Sequence, residues 1–119
     1  MTGDLNIKKI YLCTGFSDLR RGVDGLAALI KCKFSLEPME SNTMLLFCGR
    51  RTDRIKGLMW SGDRWLLLYM RLETGGFAWP RNTSEALRIT ADQYRALMQG
   101  LEIVPRRPIQ EFGDLEYTL

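Results

Sequence analysis

Apolar residues recur every third or fourth position from Leu19 through Val23, Leu26 and Ile30 to Phe34. That spacing lays them along one stripe and predicts a helix over about 18–33. Ser17 is placed to cap it, and Asp18 suits its first turn. Gly22 and Gly25 each cost such a helix about 1 kcal/mol relative to Ala, which implies close packing there or a later start. Ahead of it, "IKKIYLCT", residues 7–14, reads as a strand broken by Gly15. Behind it, "SLEPMESNT" interrupts the pattern, and Pro38 forbids a regular helix through it.

The period then shortens to two. "TMLLFCG", "RIKGLMW", "RWLLLYMRL" and "GFAW" read as strands, parted by the turns "RRTD", "SGD" and "ETGG". Connections this short join antiparallel neighbours, because a parallel crossover needs a dozen residues or more. In the third of these strands Leu66, Leu68, Met70 and Leu72 share one face, and Trp65, Leu67, Tyr69 and Arg71 share the other. The aliphatic face is the one expected to meet the 18–33 helix. After Pro80 come a polar loop and "LRI". Thr90 and Gln93 then form a Thr-x-x-Gln capping box. Tyr94, Leu97, Met98 and Leu101 make a second helical stripe, which Gly100 is placed to end. The expected fold is α+β: an antiparallel β-meander of four to five strands, with the 18–33 helix on its aliphatic face and a 90–100 helix beside it. Residues 1–104 are expected to form a single domain, and 105–119 an extended C-terminal arm.

Composition adds bounds. A chain of 119 residues fits one domain, and 45% apolar residues supply a core without a disulfide or metal staple. The net charge of +3 is unevenly placed. Glu111, Asp114 and Glu116 make the tail acidic. From Arg50 to Arg71 six bases face only Asp53 and Asp63. Arginine outnumbers lysine, and its planar fork suits phosphate. The N-terminus lacks the apolar core and cleavage site of a signal peptide. The longest apolar run, "WLLLYM", is too short to cross a bilayer. A cytoplasmic location with no membrane partner is expected. Cys13, Cys32 and Cys48 are odd in number and widely spaced, and read as reduced packing residues.

Candidate chemistry is sparse. Histidine is absent, which removes Ser-His-Asp and Cys-His arrangements and most zinc motifs. There is no C-x-x-C spacing and no phosphate-binding P-loop. Asp18 and Asp24 point to different faces of a helix. Asp53, Asp63 and Glu73 fall in turns, where acids are common for local backbone reasons. No catalytic residue, cofactor or metal is expected, and the chain reads as a non-enzyme. The basic set is the better lead. Arg50, Arg51 and Arg54 cluster at a hairpin tip, with Lys56 on the same strand face as Trp60. Arg64 and Arg71 extend the set. Arginines near aromatic faces can pair with phosphates and stack bases. The plain alternative is core tryptophans and a solvated cationic rim.

Three stretches carry a family resemblance. "SDLRRGVDGLAALI", "LFCGRRTDRIKGLMW" and "RLETGGFAWP" resemble, in that order and with similar gaps, segments of the TnpB-type accessory proteins of insertion-sequence-66 elements. The resemblance spans about residues 7–105. Asp18, Arg20, Arg21, Gly22, Asp24 and Gly25 carry the first motif. Arg50, Arg51, Arg54, Lys56 and Trp60 carry the second, and Arg71, Glu73, Phe77, Trp79 and Pro80 the third. Ser61 replaces an acid usual in the family, Arg64 a glycine and Met70 a frequent base. The resemblance implies a small protein that assists transposition beside a larger transposase, to which strand transfer is attributed. On that basis three functions compete. The first is a non-catalytic accessory that binds DNA at the element ends. The second is an adaptor docking on the partner transposase without touching DNA, using the C-terminal arm. The third is a metal-dependent nuclease, which would require Asp18, Asp24, Asp53 or Glu73 to converge.

Overall fold

The computed structural model describes residues 6–81 and 85–100. The C-terminal arm, the acidic tail and Leu101 lie outside the described residues. Five strands and two helices occur among those described: β1 (Lys9–Cys13), α1 (Val23–Cys32), β2 (Thr43–Cys48), β3 (Arg54–Trp60), β4 (Trp65–Arg71), β5 (Ala86–Ile89) and α2 (Ala91–Met98). The fold is α+β, as the periodicities predict. The strands form one sheet in the order β4-β3-β2-β1-β5. β2, β3 and β4 are the expected antiparallel meander, with Leu45 opposite Leu58 and Leu58 opposite Leu67.

Two features of the sheet depart from expectation. β1 pairs with β2 in parallel, Tyr11 beside Leu45, because α1 carries the chain back over the sheet between them. The segment "GFAW" is not a strand. The Phe77 N–H donates to the Thr52 carbonyl at 2.6 Å and the Trp79 N–H to the Phe77 carbonyl at 3.0 Å. These bonds run to a turn and within the segment rather than to a neighbouring strand. The free edge beside β1 is taken by β5, with Leu12 opposite Leu87.

Each face of the sheet has its own core. On one, Leu12, Met44, Leu46, Ile55, Met59 and Ile89 pack with Phe77, Trp79 and Leu97 of α2, joined by Leu66, Leu68 and Met70. On the other, Cys13, Leu45, Phe47 and Leu58 pack with Leu26 and Ile30 of α1 and with Phe34. The helices therefore cover opposite faces. The expected meeting of the first helix with the aliphatic face of β4 does not occur. The face a crossover helix takes follows from strand order and connection handedness, which the alternation within β4 does not encode.

Helix α1 starts at Val23, five residues later than the stripe suggests. Gly22 is its N-cap, in an extended conformation and without a side-chain cap. Leu19 precedes the helix yet still packs on its core. Ser17 does not cap; its hydroxyl has no hydrogen-bond partner. Gly25 lies against the side chain of Arg21, whose Cβ would be 3.1 Å from any Cβ added there. Helix α2 forms as predicted. The Thr90 hydroxyl accepts from the Gln93 N–H, the Gln93 side chain caps Thr90 in return, and Gly100 follows with φ +80°. Cys13 and Cys48 are buried packing residues, whereas Cys32 is exposed. Burial pushes the Cys13 thiol up to about 12.

Candidate nucleic-acid interface

The third motif is a scaffold for the second. Trp79 is 6% exposed, and its indole N–H donates to the Cys13 carbonyl at 3.2 Å. The Leu72 N–H donates to the Asp53 carbonyl at 2.7 Å. A side chain on Gly76 would collide with the Thr52 hydroxyl, and its Cβ would sit 3.2 Å from the Thr52 carbonyl. The turn carrying Arg50 and Arg51 thus rests directly on the backbone after β4. Pro80 contributes a carbonyl that accepts from the Gly15 N–H at 3.0 Å.

The first and second motifs meet at one end of the sheet. The loop after β1 and the loop after β2 leave the sheet on the same side, because those strands are parallel. The Ser17 N–H donates to the Cys48 carbonyl at 2.9 Å and ties the two loops together. A cleft of about 720 Å³ opens there, lined by Phe16 to Arg20 from one loop, Gly49 to Arg51 from the other, and Arg54 and Tyr69. Two residues that sequence reasoning passed over organise it. Arg81 donates to the carbonyls of Gly15 and Gly49, and its guanidinium lies 4.4 Å from the Phe16 ring centre. Phe16 is 51% exposed, with Arg50 5.0 Å from the same ring centre. An apolar residue directly after a strand-ending glycine was the available signal for Phe16; nothing local marks Arg81.

From the cleft a stripe runs along the outer half of the sheet. Side-chain alternation brings Arg54 opposite Arg71, Lys56 opposite Tyr69, Leu58 opposite Leu67 and Trp60 opposite Trp65 on one face. Helix α1 covers the inner strands of that face, leaving Tyr69 at 52% and Leu67 at 39% exposure. Trp60 and Trp65 are half-buried against each other, ring centres 5.0 Å apart. They stand at the far end of β3, about 20 Å from Arg54 at strand rise. Arg64 lies with them. The predicted residues therefore do not form one cluster. Arg50, Arg51, Arg54 and Arg71 gather at the cleft end, Lys56 stands between, and Arg64 and Trp60 mark the other end. The aromatics nearest the arginines are Tyr69 and Phe16, not a tryptophan.

Carboxylates answer some of these cations. Asp18 accepts from Arg20 at 3.0 and 3.1 Å, which holds its carboxyl down at about 2. Asp53 is held low mainly by the hydrogen bonds from Arg54, at 3.0 and 3.1 Å, with Arg51 at 3.4 Å. Asp63 is held low by Arg64 in the same way. Glu73 reaches Arg71 only at 3.8 Å. Among the described residues the side chain of Arg50 makes no hydrogen bond or ion pair, and Lys56 donates to the Arg21 carbonyl alone, at 3.1 Å. Exposed pairs of this kind are weakly held and screened by salt, so a polyanion can compete for the arginines. Glu73 and Asp24 are exposed. No grouping of three or more His, Cys, Asp or Glu side chains that could hold a metal occurs among the described residues.

The model of the IS66 Orf2-like proteins matches residues 8–108. The chain belongs to the IS66 Orf2-like family. That places it among the accessory proteins of insertion sequences, which are not a known catalytic family. Two proteins of Sinorhizobium fredii resemble it, both described as uncharacterised. One, y4jC, is 30% identical over 112 residues, covering 92% of this chain and 95% of its own length. The other, y4hO, is 29% identical over 94 residues, covering 79% and 81%. No solved structure matches significantly. In this IS66 Orf2-like chain parts of the three motifs meet at one end of the sheet, with Trp60 of the second at the other, and no described helix is long and apolar enough to cross a membrane.

Proposed function

We propose that this accessory protein binds nucleic acid without catalysing a reaction on it. The partner would be DNA at the ends of its element, held on the stripe between the cleft and the tryptophan pair. One observation carries the reading. The half of a sheet face that α1 leaves uncovered presents Arg54, Lys56, Tyr69 and Arg71 together, and it runs into a cleft bearing Arg50 and Arg51. Cations on a surface with exposed aromatic and apolar side chains can hold phosphates while bases stack. The test is fluorescence anisotropy with duplex and single-stranded element-end DNA at about 50 and 200 mM salt. Binding should weaken steeply between the two, because phosphate contacts release counterions. Absence of binding at the lower salt would end the proposal.

A second reading has its own support. Among the described residues β4 is an edge strand, hydrogen-bonded on one side, and it exposes Leu67 and Tyr69. A partner transposase could add a strand there. Capture of the transposase by the intact chain, lost when proline replaces a residue of β4 whose N–H faces outward, would favour docking over DNA contact.

A further inference from the structure

The cleft beyond β1 and β2 has features that a passing DNA backbone would not use. Its volume of about 720 Å³ suits a small ligand. Ser17 lines it at 8% exposure, and its buried hydroxyl has no hydrogen-bond partner. Buried polar groups are nearly always paired; this hydroxyl is sealed from the empty cleft and meets a ligand only after rotating about its Cα–Cβ bond. Arg50 lines the same cleft with no carboxylate partner among the described residues, resting on Phe16. Arg51 adds a second, loosely held guanidinium at the same wall. Phe16 and Tyr69 provide two half-exposed rings in the same space.

These groups ask for both an anion and a flat ring, and they discriminate among anions. A phosphodiester inside a strand carries one charge and has a sugar on both sides, which keeps it at the rim. A phosphate monoester carries nearly two charges and three free oxygens, so it can answer two guanidiniums at once and enter the cleft by its unencumbered side. We propose that the cleft holds the phosphorylated terminus of a nucleic-acid strand. The terminal phosphate sits against Arg50 and Arg51, the Ser17 hydroxyl turns to donate to it, and the terminal base stacks on Phe16 or Tyr69. Arg50 leaves the Phe16 ring to take the phosphate, which frees that ring face for the base. The inference rests on the nucleic-acid reading above and specifies which part of the strand is recognised. A free nucleoside monophosphate presents the same chemistry, so the test separates the two sources.

The intact chain is titrated into an internally dye-labelled strand of about 12 nucleotides. The strand is prepared with no terminal phosphate, with a 5′-phosphate and with a 3′-phosphate. One phosphorylated form should bind about tenfold tighter, as expected for one or two charge-assisted bonds. Arg50→Ala should abolish that preference with little change in melting temperature, since among the described residues its side chain touches only the exposed Phe16 ring. Ser17→Ala should reduce the preference several-fold while leaving the melting temperature unchanged or raised, because it removes an unpaired hydroxyl. A sharp fall in melting temperature with Ser17→Ala would make the hydroxyl structural and overturn its role. Equal binding of all three strands overturns the cleft site and leaves binding along the stripe intact. Failure of every strand, with adenosine monophosphate still shifting the amide resonances of residues 16–18 and 49–51, supports the cleft as a free-nucleotide site and ends the broader DNA reading. Failure of all probes overturns both.

Discussion

The two faces of the β3–β4 hairpin are built from the same seven-residue strands and meet different fates. On one face Leu66, Leu68 and Met70 join the core around Phe77 and Trp79. On the other, Tyr69, Leu67 and Arg71 stay open because α1, a helix of ten residues and about 15 Å, reaches only the inner strands. A sheet of five strands with one short helix on a face cannot cover that face fully. The uncovered part is where this chain concentrates cations and rings. Coverage, more than hydrophobicity, separates the structural half of the hairpin from the half free to bind.

The contrast breaks most visibly through Trp79. Trp79→Ala removes a buried ring and leaves the Cys13 carbonyl without its donor, and should cost about 3–5 kcal/mol in urea unfolding. That is a large share of the roughly 5–15 kcal/mol typical of a domain. Tyr69→Ala on the open face should cost under about 1 kcal/mol. Comparable losses from the two would refute the division between faces. Arg81→Ala comes next. It deprives the Gly15 and Gly49 carbonyls of their donor and unties the two loops, at about 1–3 kcal/mol. Arg81→Lys should recover only part of this, since one ammonium does not reproduce a planar fork. Full recovery in thermal melting would show that charge alone holds the loops.

The open face is sharpened by a double change, Lys56→Gln with Arg71→Gln. DNA affinity at low salt should drop roughly five- to tenfold, and the slope of affinity against salt should shrink by about two phosphate contacts. Unfolding free energy should move by no more than about 1 kcal/mol. An unchanged salt slope would take the stripe out of the interface.

What could be read in the sequence follows this same division. The meander, the capping box at Thr90 and Gln93, and the α+β class were legible because each rests on a local period or a four-residue signal. The start of α1 was not, because Leu19 keeps the helical spacing from a loop that packs on the same core. The parallel pairing of β1 with β2 was hidden, since a strand–helix–strand order allows more than one strand arrangement until the sheet is assembled. The misassigned strand "GFAW" has the right residues, but its carbonyl and N–H partners are Thr52 and its own neighbours. At the site, Arg50, Arg51 and Arg54 were visible as a run. Their company was not: Phe16, Arg81 and the buried Ser17 hydroxyl come from loops 27 or more positions away in the chain, and only the fold brings them together.

The smallest predicted effect concerns the lip of the cleft. Asp18 accepts two bonds from the Arg20 side chain and one from the Arg20 N–H at 3.0 Å. These bonds lower its carboxyl from 3.8 to about 2. The folded pKa lies below the unfolded one, so the unfolded chain binds more protons between them. The contribution to stability is therefore fully present above about pH 4 and is lost as pH falls towards 2. Asp53 and Asp63, lowered by Arg54 and Arg64, act in the same direction. Because Asp18 is exposed, salt should shrink the effect. Carboxyl carbon NMR titration should place Asp18 low, and Arg20→Ala should return it towards the ordinary carboxylate range. The same resonance reports on the cleft. A nucleotide phosphate held beside Arg50 is a negative neighbour, which disfavours the carboxylate and raises its pKa. Saturating adenosine monophosphate should move the Asp18 titration upward, and a curve that does not move would place the anion somewhere other than this cleft.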